Sequence, residues 1–64
     1  MPAELSAYLA VVEECARERD RVIYVVDDGT GQYWSTIHPS MVNRQVKHYS
    51  VMPSGNVIVH HPGR

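Results

Sequence analysis

Four histidines, two adjacent aspartates, one cysteine and four serines in the second half are the side chains of this 64-residue chain that could do chemistry. Two of the histidines are placed relative to each other by a turn. Met52-Pro53-Ser54-Gly55-Asn56 puts proline where a type I turn wants it and glycine at the left-handed position that follows. Gln45 to His61 therefore reads as a bulged β-hairpin. Pairing Met52 with Asn56 sets Val51 opposite Val57, Ser50 opposite Ile58, Tyr49 opposite Val59 and His48 opposite His60. Two imidazoles with Cβ atoms about 4.5–5.5 Å apart could share a divalent ion or make a pH-sensitive contact. A metal site needs a third ligand, and the pattern brings neither His38, His61 nor Asp27 to the pair. The expectation is solvent-facing strand histidines and no metal.

Asp27 and Asp28 could act as an acid–base pair or hold a hard cation. They precede Gly29 in Asp27-Asp28-Gly29-Thr30-Gly31, where aspartate is favoured because its carboxylate caps the local backbone. The spacing matches neither a calcium loop nor a phosphate loop. Cys15 falls on an apolar helical arc, which predicts a buried, inert thiol rather than a nucleophile. Ser35, Ser40, Ser50 and Ser54 sit in no nucleophile motif. No catalytic residue is assigned, and neither an enzyme, a cofactor nor a small-molecule substrate is expected.

The elements that must position these groups are legible from periodicity. Leu5, Tyr8, Leu9, Val12, Cys15 and Ala16 recur at three- and four-residue steps from Ala3 to Asp20. With Val11 they share an arc of roughly 160° on a helical wheel, and Glu13, Glu14, Arg17 and Glu18 lie opposite. Pro2 suits the first turn, and Glu13 can reach Arg17 at i, i+4. Val22 to Val26 is dense in β-branched and aromatic residues and predicts a central strand buried on both faces. The Asp-Gly segment turns the chain into a second strand, Gln32 to Ile37, so a first hairpin is expected. His38 to Arg44 reads as a loop or a single helical turn begun by Pro39.

The order helix, strand, strand, loop, strand, strand predicts an α+β fold in one domain over 1–64: an N-terminal amphipathic helix on a small antiparallel sheet of two hairpins. One face of the last hairpin carries Tyr49, Val51, Val57 and Val59, the other Val46, His48, Ser50, Ile58 and His60. A helix of about 18 residues, roughly 27 Å long, covers one side of such a sheet and leaves the other to water or a partner. Which face of the first hairpin meets the helix, and the strand order, are open.

A single core at this length supplies only a few kcal/mol, so oligomerisation or complex formation is an expectation. One cysteine rules out an intramolecular disulfide framework and fits a reducing, cytoplasmic setting. No apolar run approaches a membrane span. Net charge is −1, unlike that of a protein living on phosphate contacts, yet it is unevenly spread. Gln32 to Arg64 holds Arg44, Lys47 and Arg64 and no acid, while the first half holds seven acids against three arginines. Val25 to Gly31 resembles the strand-and-turn segment of OB-fold single-strand-binding subunits over seven residues. A helix followed by four strands is not that five-stranded barrel, and no family is assigned.

The expected function is binding of a protein partner, or of a second copy, through the open sheet face, as a regulator or inhibitor would. Tyr33, Trp34, Val46, His48, Ile58 and His60 are the expected contacts. The alternative is a nucleic-acid-binding module using Tyr33, Trp34 and His48 with Arg44 and Lys47.

Overall fold

A computed structural model of the protein describes residues 3–62. The first element is the amphipathic helix α1 (Ala3–Arg19), which buries Leu5, Leu9, Val12 and Ala16 at the predicted spacing. Burying an aliphatic side chain of this size is worth about 1.5–3 kcal/mol over leaving it exposed, so this stripe is what fixes the helix to the sheet. The buried stripe is narrower than the predicted arc: Tyr8 and Cys15 are half-buried and Val11 is 62 % exposed. Arg17 donates to Glu13 at 2.8 Å, as the i, i+4 spacing predicts. Pro2 lies outside the described residues.

No glycine ends the helix. Asp20 instead adopts the left-handed conformation, φ +52°, which aspartate tolerates better than most residues. Its N–H donates to the Arg17 carbonyl at 3.3 Å, and the Arg21 N–H donates back to the Ala16 carbonyl at 3.2 Å. This is a Schellman closure with aspartate in glycine's place.

Four short strands follow: β1 (Ile23–Asp27), β2 (Tyr33–Thr36), β3 (His48–Val51) and β4 (Val57–His60). They form one antiparallel sheet in the order β2-β1-β3-β4, with α1 packed over β1 and β3. The α+β class and the four-stranded antiparallel sheet expected from the sequence are present. The last hairpin has the predicted register, His48 opposite His60 through Val51 opposite Val57. β1 is central, with Val25 and Val26 buried on opposite faces, and it runs one residue later than the apolar block suggested.

Registers assign every side chain to a face. Tyr33 and Ser35, Ile23, Val25 and Asp27, Tyr49 and Val51, and Val57 and Val59 share the helix side. Trp34 and Thr36, Tyr24 and Val26, His48 and Ser50, and Ile58 and His60 share the other.

The strand order has a consequence for that other face. Both β2 and β3 are antiparallel to β1, so they run the same way, one on each side of it. The chain leaving Thr36 must therefore travel back the length of a strand and pass over β1 to start β3 at His48. With the helix on one side, the connection crosses on the opposite side, where Pro39, Val42 and Arg44 lie against Tyr24 and His48, and it carries a single 3-10 turn at Pro39–Met41. The loop or single helical turn expected ahead of the last hairpin is thus a crossover, and the sheet face expected to be open is partly roofed by it.

Candidate functional site

The crossover and the sheet beneath it border an open cleft of about 550 Å³. Tyr24, His48, Ser50 and His60 line it from the sheet; Pro39, Val42 and Arg44 line it from the crossover, with His61 at the end of β4. Local backbone hydrogen bonds shape the roof: Met41 N–H to the His38 carbonyl at 3.0 Å, Val42 N–H to Pro39 at 3.1 Å and Val46 N–H to Asn43 at 3.1 Å. The Thr36 hydroxyl accepts from the His38 N–H at 3.1 Å and the Asn43 carboxamide from the Gln45 N–H at 2.9 Å, closing both ends.

His48 and His60 stack within the cleft, ring centroids 4.5 Å apart and planes 13° from parallel. A carbonyl only accepts, so His48 Nδ1, 3.0 Å from the Val46 carbonyl oxygen, carries a proton and donates it. His60 Nε2 shares a 2.8 Å hydrogen bond with the Ser50 hydroxyl, which satisfies the only polar residue among the described residues that is buried. Stacked rings with one nitrogen each already engaged do not converge on an ion, and the described residues hold no group of three metal-ligating side chains. Two positive charges 4.5 Å apart repel by about 1 kcal/mol in water and about 4 kcal/mol at an effective dielectric near 20. The Ser50–His60 contact has the length of a nucleophile–base pair. No carboxylate hydrogen-bonds His60 among the described residues, so the ring lacks the orienting third group of a triad.

The six expected partner contacts divide. Trp34, His48 and His60 fall in one row across the cleft side of the sheet, with Ile58 in the next row, and Val46 stands half-buried just before β3. Tyr33 does not join them: strand alternation turns it to the helix, where its ring lies 5.9 Å from that of Tyr8. Desolvation there, with the Asp27 carboxylate opposite it, pushes the Tyr33 hydroxyl above its ordinary ionisation range. The nucleic-acid set divides in the same way. Arg44 and His48 line the cleft and Trp34 shares that side, but Lys47 lies 5.6 Å over the ring of Tyr49, a helix-side residue.

The aspartates do what the turn reading predicts. Asp27 accepts from the Gly29 N–H and Asp28 from the Thr30 N–H, both at 2.9 Å; Asp28 also accepts from the Thr30 hydroxyl at 2.6 Å. That hydroxyl is the main reason the Asp28 carboxyl lies below its ordinary range. Cys15, expected to be buried, is half-buried and lines a shallow groove of about 280 Å³ with Arg19 and Ile37.

A second feature lies at the sheet edge. Val57, Ile58 and Val59 are 38 %, 44 % and 41 % exposed, so β4 shows apolar surface on both faces. Met52 N–H donates to the Asn56 carbonyl at 2.8 Å, and the alternation of an antiparallel ladder then directs the Ile58 and His60 backbone groups to β3. The N–H and C=O groups of Val57 and Val59 point out of the sheet. The sequence named Ile58 but not its two neighbours, because their alternation with Ile58 promised burial under the helix.

No known protein family, characterised protein or solved structure matches this chain.

Proposed function

We propose that this is a small non-catalytic interaction protein, a regulator or inhibitor in type, that takes an extended segment of a protein partner onto the outer edge of β4. The carrying observation is the run of three exposed apolar residues on a strand whose outer N–H and C=O groups have no neighbour in the sheet. β4 contains no charge, proline or bulge of the kind that blunts edges. An added strand would gain main-chain hydrogen bonds from Val57 and Val59 and apolar contacts on both faces. A second copy is one such partner: β4 pairing antiparallel with itself would set Ile58 against Ile58 on a two-fold axis. The single thiol of Cys15 fits a reducing, cytoplasmic compartment. No helix among the described residues is long and apolar enough to cross a membrane.

The test compares the wild type with Val59→Lys, a substitution at an exposed edge position that leaves the core untouched. Sedimentation of each pure protein reads self-association, and capture from native extract, with nuclease and at low and high salt, reads other partners. A stoichiometric protein, or a second copy, held through nuclease and salt by the wild type and lost from Val59→Lys supports strand addition. Equal binding by both proteins overturns it. Recovery of nuclease-sensitive, salt-labile material alone would replace it with the nucleic-acid reading.

A further inference from the structure

We propose that the cleft under the crossover binds a small organic anion, its charged end on Arg44 and the histidines and its organic part on Val42 and Tyr24. This goes beyond strand addition at β4 and uses a different surface.

The charge of the lining is one-sided. Arg44, His48, His60 and His61 line the cleft and no aspartate or glutamate does, although the chain holds seven of them. All seven precede Gly29, on the helix, just past its end at Asp20 and at the end of β1, so nothing in the crossover or the second hairpin offers a counter-charge. The one salt bridge among the described residues is Arg17–Glu13, on the helix, which leaves the Arg44 guanidinium without a carboxylate partner there. A guanidinium presents a planar fork of donors suited to a phosphate or carboxylate edge.

The histidine pair adds a second reason. Each ring has one nitrogen engaged by the protein, Nδ1 of His48 by a backbone carbonyl and Nε2 of His60 by Ser50, so each keeps one for a ligand. When Ser50 donates to His60 Nε2, the neutral ring carries its proton on Nδ1 and is itself a donor.

Size and wall chemistry point to an organic anion. A cleft of about 550 Å³ is within the range of small-molecule sites, and Pro39, Val42 and the Tyr24 ring supply apolar wall. The roof that carries Arg44 is held by its own turn hydrogen bonds.

The probes are phenyl phosphate and benzoate, with benzyl alcohol as the uncharged control, titrated into the protein and read by amide chemical shifts. Saturable shifts at Tyr24, Val42, Arg44 and His48 with either anion support the site, and the tighter of the two identifies the head group. Arg44→Gln should weaken that binding about tenfold or more, the usual range for losing a charge-assisted hydrogen bond. His61→Gln, at an exposed position beyond β4, should weaken it less. Both variants lie outside the core, so an unchanged amide spectrum elsewhere verifies the fold. Absence of saturable shifts up to about 10 mM of either anion, a range that would still detect millimolar affinity, overturns the proposal. So does benzyl alcohol binding as well as the anions, or both variants binding like the wild type.

Discussion

β1 and β4 are close in composition and opposite in fate. Ile23-Tyr24-Val25-Val26 is buried on both faces, whereas Val57-Ile58-Val59 is exposed on both. Residue type does not separate them; neighbours do. β1 has a strand on each side, the helix on one face and the crossover on the other side of the sheet. β4 has one strand beside it and lies beyond the reach of α1, because a helix about 10–12 Å across covers little more than two strands spaced about 4.8 Å apart. A similar apolar composition is thus core in one place and exposed surface in the other.

The sharpest way to break this comparison is to truncate a valine in each strand. Val25→Ala should cost about 2 kcal/mol, since a fully buried methyl pair is lost from a close-packed site, and urea unfolding reads it directly. Val59→Ala should cost within about 0.5 kcal/mol in the same assay. Equal costs would mean that β4 is covered in solution, as a partner or second copy would cover it, and the value would then depend on protein concentration.

The turns feeding the two hairpins sharpen the contrast. Gly55 has φ +96°, and a Cβ there would meet Glu13 Oε1 at 2.9 Å, the movable end of a side chain. Gly55→Ala should therefore cost about 1 kcal/mol, mainly through the backbone, and increase hydrogen exchange in β4 more than in β1. The smallest effect belongs to the turn after β1. Because folding lowers the Asp28 pKa, its contribution is present above the ordinary carboxylate value near 4 and is lost as pH falls through the folded value. Thr30→Val removes the hydroxyl responsible, so an NMR titration should find Asp28 shifted back toward that ordinary value, with no difference between the proteins in acid.

The parts legible in the sequence were those written in local chemistry. Pro53 and Gly55 fixed the register that stacks His48 on His60, the Asp-Gly run announced its own turn, and Leu5, Leu9, Val12 and Ala16 announced the helix. Strand order is written in no local pattern, and three consequences of it went unread. The loop after β2 became a crossover, Tyr24 and Arg44 met the histidines in one cleft, and β4 fell outside the helix's footprint. That Tyr33 and Trp34 cannot both meet a partner on one sheet face was legible in principle, since adjacent strand residues alternate sides; which of the two turns to the helix was not.

The seam between β1 and β3 also sets how the chain assembles in time. Each hairpin joins residues close in sequence and can form within microseconds, but Val26 pairs with His48 and Ile23 with Val51 across more than twenty residues. Closing that loop spends chain entropy before any contact returns it, so the two hairpins form and dissolve repeatedly until the seam zips. Folding commits at the centre of the sheet: the β1–β3 seam is the last pairing to close, and β4 is tied to the rest of the sheet only through β3.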